Sequence, residues 1–295
     1  MSPAKGYRAT FRPKRHDVAW QKELRDRHES EGSPFAQPPA VGMSVVRPIS
    51  YRLAEQVILK YEWLGTMAKT QYHFGLFYGI HLAGAACAGV GGTAGNNVHR
   101  PFGVERDQVL TLARGACVHW APPGSNSRLV NWSVRLLARR RAGKLMIAYA
   151  DSDAGEVGTI YQACNWVYIG RSGWVPQYVA PNGRVYDCRI VSDLAKRSGG
   201  VPWVQQRDAM VRRGWIEQRS NPKHRYVVLL DRKDRALRDT VEAMRQPYPK
   251  RVHALEALPV ERPATNGQDP VQLRGEGLLD AHELTEAIHG AVQER

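Results

Sequence analysis

Three polar side chains stand where apolar segments would otherwise continue. Arg114 interrupts VLTLARGACV, Asp151 ends the run KLMIAYA with Asp153 two residues on, and Tyr161 falls one turn into GEVGTIYQACNW. A carboxylate just after a buried strand is placed to take a proton or orient an amine, because ligands of open α/β sheets gather at the carboxyl ends of strands. A phenol can donate a hydrogen bond to a leaving group. A guanidinium inside an apolar strand calls for a carboxylate or phosphate partner, since an unpaired buried cation is costly. Each residue also has a plainer reading. Asp151 could be a turn or cap acid, Tyr161 a packing residue, and Arg114 half of a structural ion pair, with Asp151 itself as a candidate partner.

Two further groups bear on binding. APPGSNS (121–127) leads straight into RLVNWSVRLLARRR, so Ser125, Asn126 and Ser127 sit at the start of a helix. Unpaired N–H groups and the positive end of the dipole make such a start a candidate cofactor phosphate site, although an ordinary Ser/Asn cap has the same composition. Further on, Arg207, Arg212, Arg213, Arg219, Lys223, His224 and Arg225 are interleaved with Trp203 and Trp215. Cations of this kind contact phosphates and exposed aromatics stack on displaced bases, whereas a solvated helix face with buried tryptophans would read the same way. His73, His81, His99, His119 and His224 make no HxxxH or HxH pair, so no metal ligands are assigned. The four cysteines, at 87, 117, 164 and 188, form no CxxC and read as reduced core thiols of a cytoplasmic protein.

The surrounding pattern supplies the elements. Apolar positions at helical spacing predict a helix over 51–65, and Tyr72 to Val90 reads as two strands turning near Tyr78-Gly79. A strand over 108–120, a helix after Ser127 with Leu129, Val130, Val134, Leu136 and Leu137 on one face, and a buried strand at 144–150 follow. A short helix through Tyr161 and a hairpin turning at Asn182-Gly183 complete the core. The fold class is α/β to α+β, a mixed central sheet flanked by helices. The expected division is a basic flexible arm over 1–42, with a short helix near 18–28, and a catalytic core over 43–190. A basic helical extension contacting DNA over 191–251, a linker over 252–275 and a terminal helix over 276–295 complete it. Forty-two Lys and Arg against 28 Asp and Glu give a formal charge of +14, which attracts polyanions and makes nucleic acid the leading partner. No apolar run approaches the ~20 residues that span a bilayer, and the basic N-terminus has no apolar signal region.

Strand, small-polar turn, helix, strand and helix leading to CNWVYIG resemble the GCN5-related acyl-CoA N-acyltransferase fold. More closely, LAR with Arg114, the turn with Ser127, YADSDAGEVGTIYQACNWVYIG, NPKHRYV and YPK resemble the Mom-type phage DNA-modification proteins, over roughly Tyr51 to Lys250. That resemblance implies an enzyme that adds a carbamoylmethyl group to the N6 amine of adenine in double-stranded DNA, protecting phage DNA from restriction in the host cytoplasm. It implies catalytic roles for Arg114, Ser127, Asp151 and Tyr161. It also implies acetyl-CoA or a related acyl donor, held at Ser125 to Ser127, and it allows iron. HWAPPGSNS departs from the acyltransferase phosphate loop, offering one glycine and two prolines. An N-acetyltransferase acting on a small amine or protein, and a non-catalytic DNA-binding protein on the same scaffold, stand as alternatives.

Overall fold

A computed structural model describes residues 20–90 and 98–250. The expected linker and terminal helix, and the first 19 residues of the arm, lie outside them.

The main body is a seven-stranded mixed sheet in the order β1-β2-β3-β4-β5-β10-β6. Its strands are β1 (Val45–Pro48), β2 (Tyr72–Tyr78), β3 (His81–Val90), β4 (Val109–Cys117), β5 (Leu145–Ala150), β6 (Val167–Arg171) and β10 (His224–Leu229). The β4–β5 pair is parallel and every other neighbouring pair is antiparallel. The continuous apolar run of β5 reflects cover on both faces, as buried parallel strands require. Met146, Ala148 and Ala150 join one core cluster, while Leu145 and Ile147 join another.

Helices α2 (Tyr51–Tyr61) and α3 (Ser125–Arg139) pack into the first cluster. Ser50 starts α2 by accepting a hydrogen bond from the Leu53 N–H at 3.3 Å, a local cap. On α3, Leu129, Val130, Val134 and Leu137 are buried as the spacing predicted, and Leu136 is half-buried. Helix α1 (Trp20–Arg27) forms where the arm was expected to carry a short helix. This helix and the part of the arm after it are packed on the body, contrary to the expectation of a mobile segment. Arg25 donates to the carbonyls of His119 and Ala121, and Phe35 stands edge-on or tilted against Tyr78, His81 and Trp120.

Between β6 and β10 the chain makes an excursion that builds a second sheet, β8-β7-β9. Its strands are β7 (Pro176–Val179), β8 (Val185–Asp187) and β9 (Ile216–Arg219), backed by α5 (Arg189–Arg197) and α6 (Trp203–Arg212) around Tyr178, Val191 and Met210. The expected hairpin turn is there, with the Gly183 N–H bonded to the Ala180 carbonyl. The boundary expected at residue 190 is not there. β10, read as part of the extension, lies inside the main sheet between β5 and β6. Helix α7 (Arg235–Ala243) then covers the second cluster.

Helix α4 (Thr159–Ala163) begins at Gly158, whose φ of 72° lies in the left-handed region. A Cβ there would stand 2.3 Å from Tyr226 Cε2, so this turn needs glycine on two grounds. Gly158→Ala should lower stability by at least about 2 kcal/mol. Calorimetry should record a fall in thermal midpoint of roughly 4–8 °C; an unchanged midpoint would contradict the close packing of α4 on β10.

Candidate active site

The site opens where β4 and β5 part. Their parallel pairing runs from Val109–Leu145 to Leu112–Ala148 and stops, while β4 continues to Cys117. At the same point the β3–β4 register shifts, skipping Ala113. β5 instead keeps β10 as its partner through Ala150 and His224. The wedge so formed carries Arg114 on one arm and Asp151 at the end of the other.

Asp151 is 5% exposed and triply engaged. One carboxylate oxygen accepts from the Asp153 N–H at 3.0 Å, and the other meets Lys223 Nζ at 2.9 Å. Its own N–H donates to Glu156 Oε2 at 3.0 Å. Asp153 faces the loop before β10, accepting from both the backbone and side-chain N–H groups of Asn221, and the Ser152 hydroxyl donates to the Pro222 carbonyl. DSD therefore pins the Asn221–Lys223 loop, and that loop returns Lys223 to Asp151.

Glu156 follows this turn. Burial raises its carboxyl to about 7, the backbone N–H of Asp151 opposes the rise, and the Asp151 and Glu62 carboxylates add to it against Lys223. Tyr161 stands between Trp166 and Tyr226, with ring centroids 5.2 and 5.3 Å away. Burial, then the charges of Glu156 and Glu62, push its phenol well above the ordinary tyrosine range.

Arg114 is buried and does find a carboxylate. Glu62, at the end of α2, lies 3.9 Å from its Nε. Most of its guanidinium is turned to Thr66 and to its own strand: Nε donates to the Thr66 carbonyl at 2.6 Å, one terminal nitrogen to the Thr66 hydroxyl and the other to the Ala113 carbonyl. Asp187 and Arg189, at the β8–α5 junction, complete the charge set, 3.0 Å apart. Burial works against the Asp187 charge, but Arg189, two hydrogen bonds from it and Lys223 win, and the carboxyl falls well below its usual range.

The structure thus brings Arg114, Asp151 and Tyr161 into one electrostatic neighbourhood. Ser127 borders it: its carbonyl faces Cys164 Sγ at 3.5 Å, joining α3 to the end of α4. Glu62, Glu156, Asp187 and Arg189 are members that sequence reasoning missed. The signal for Glu156 was its position between two glycines in AGEVG; the signal for Glu62 was an acid at the end of an apolar helix.

Residues 43–250 match the Mom protein family. The chain belongs to that family. No curated protein matches it in sequence. Among solved structures it is similar to the IAA acetyltransferase from Bacillus cereus, at 10% identity over 63% of this chain and 99% of that one, with a TM-score of 0.34. A putative acetyltransferase of Salmonella typhimurium, yncA, with its cofactor acetyl-CoA, gives 12% identity over 64% and 95%, also at 0.34.

Four of the binding residues expected in this Mom-family chain stand elsewhere. Ser125 was expected to hold a cofactor, but its hydroxyl is enclosed, donating to the Pro122 carbonyl and bonded to Tyr78. His224 was expected on DNA. It is 4% exposed, with Nδ1 3.0 Å from the Tyr168 hydroxyl, because the strand that carries it is central. Arg225 is turned to the Ile169 carbonyl, and Lys223 is a member of the site. Arg212 and Arg213 remain on the surface, Arg207 pairs with Asp208, and Asn126 is half-buried in the first turn of α3. Among the described residues no group of three or more His, Cys, Asp or Glu could hold a metal ion, and no helix is long and apolar enough to cross a membrane.

The raised Glu156 carboxyl fixes a sign. A folded-state value above the ordinary 4.5 means stability fully present below 4.5 and lost as pH rises through about 7. Glu156→Gln should therefore raise the thermal midpoint at pH 8 and leave it nearly unchanged at pH 5. Equal shifts at both pH values in calorimetry would show that Glu156 is ordinarily ionised.

Proposed function

We propose that this chain modifies DNA, transferring a carbamoylmethyl group to the exocyclic N6 of adenine and so shielding the DNA from restriction. The observation that carries the reading is that the family match encloses the whole charge cluster, from Glu62 to Lys223, and that the cluster holds a carboxyl poised near neutral pH.

The adenine amine is a weak nucleophile, its lone pair being delocalised into the ring. As that lone pair forms the new N–C bond, the bond from the donor carbon to its leaving group breaks and the leaving group departs with the electron pair. The N6 proton passes to Glu156, whose value of about 7 suits a general base at neutral pH. Asp151, already paired with Lys223, orients the amine rather than taking its proton. Tyr161 keeps its proton across the physiological range and supplies a hydrogen-bond donor toward the leaving group. Arg114 holds the Thr66 loop and Glu62 in place. The amine is hidden in a stacked duplex, so the base must be extruded, at a cost of a few kcal/mol.

The donor belongs to the acyl or carbamoylmethyl class. The turn before α3 fits the diphosphate of coenzyme A poorly. Ser125 is turned inward, and Val41 lies 3.7 Å from where a Gly124 Cβ would be. Arg128 is tied to the Gly42 and Ser44 carbonyls. No step is assigned to coenzyme A or to iron.

DNA from cells expressing the chain, digested and analysed by mass spectrometry, should contain a mass-shifted deoxyadenosine. Glu156→Gln should lower its formation by about 10²–10⁴-fold. The residual rate should lose the rise through pH 7 that the parent shows. Unmodified nucleosides together with acetyl-CoA turnover on a small amine or protein would replace this reading with the acetyltransferase one. Unmodified nucleosides with salt-dependent DNA binding alone would replace it with the non-catalytic one.

A further inference from the structure

Trp174 is half exposed, at 51%, on the loop between β6 and β7. The guanidinium of Arg219 lies 4.4 Å from its ring centroid. The loop is not free-standing. Ser172 exchanges two hydrogen bonds with the backbone of Lys223, at 2.8 and 3.0 Å, and Val175 exchanges two with Ser220, at 2.9 and 3.0 Å. Trp174 is bracketed by these rungs, and the segment on their far side, between β9 and β10, ends at Lys223, the residue paired with Asp151. An aromatic face therefore stands on the lip of the site, on a backbone the site itself holds. The two segments that make the lip, RSGWVP (171–176) and RSNPK (219–223), contain three cations and no acid, and Arg171 and Arg219 are exposed. A bare apolar contact would not call for such a charge; an aromatic plane flanked by guanidinium groups matches a nucleobase and the phosphates on either side of it.

We propose that Trp174 is the base-stacking residue of the DNA entrance, packing against an unpaired base while Arg171 and Arg219 take the adjoining phosphates. This rests on the DNA reading above and adds to it the residue that meets the extruded or orphaned base.

The test uses the full chain, a 15-nucleotide single-stranded DNA containing adenine, and a duplex with one unpaired adenine. Trp174→Ala should weaken binding of both by about 5- to 150-fold, and Trp174→Phe should recover most of the loss, as expected for stacking. The loss should stay constant as salt is raised. Arg219→Ala, by contrast, should lower the slope of affinity against salt by about one counterion. Parent-like DNA affinity in Trp174→Ala, or a loss that disappears in high salt, would overturn the proposal while leaving the DNA reading intact. Failure of the parent to bind either DNA would overturn both. Tryptophan-dependent binding in a protein that never modifies adenine would uphold the surface and remove the enzymatic reading.

Discussion

Burial of charge where β4 and β5 separate is the constraint on which the rest of the site depends: Glu62, Asp151, Glu156 and Asp187 meet Arg114, Arg189 and Lys223 there. Asp151 has Lys223, Asp187 has Arg189, and Glu62 has Arg114, more loosely. Glu156 is left with the backbone N–H of Asp151 and the field of its neighbours. A carboxylate in dense surroundings that lacks a dedicated cation takes up a proton instead of remaining charged. The value near 7 is set first by burial, and the neighbouring Asp151 and Glu62 carboxylates add to it against Lys223.

The fold delivers these groups from distant parts of the chain. β4 and β5 supply Arg114 and Asp151 because their pairing stops at Leu112 and Ala148 while both strands continue. The excursion between β6 and β10 supplies Asp187 and Arg189, and its return supplies Lys223. That return is fixed by Asp153 on Asn221 and Ser152 on Pro222, so one short motif, DSD, both forms the site and clamps its last member. Three of the seven charges lie beyond residue 186, in a region whose composition looks like a surface extension.

That arrangement explains what could be read in the sequence and what could not. The strands and helices of the core announce themselves through period and turn chemistry, as KLMIAYA and the apolar face of α3 illustrate, and the acid after the strand was visible as a chemical oddity. The place of β10 was not. HRYVVL carries the same local signal at a sheet centre as at an edge, and a basic excursion over 172–223 separates it from β6. Reading that stretch by its charge put Lys223, His224 and Arg225 on one DNA-binding face. Instead Lys223, in the loop before β10, reaches Asp151, while His224 and Arg225, on opposite faces of the strand, turn to Tyr168 and to the Ile169 carbonyl. Glu156 was missed because a raised carboxyl depends on which charges surround it in space.

Tyr161 shows why the environment, and not the residue type, assigns roles here. A phenol near carboxylates and packed between Trp166 and Tyr226 is harder to ionise than one in water, so it cannot serve as a proton carrier near neutral pH. The same surroundings make it a fixed donor, always protonated and with little freedom to turn. Glu156 is moved the opposite way in function by the same physics: burial brings its carboxyl into the working range and the phenol out of it. The cost falls on stability, which Glu156 lowers as pH rises through 7. Asp187, whose depressed carboxyl contributes stability above its ordinary value of 3.8 and loses it on acidification, acts in the other sense. The cluster thus carries both extremes, one carboxyl raised by burial and one, Asp187, held down by Arg189 against the same burial.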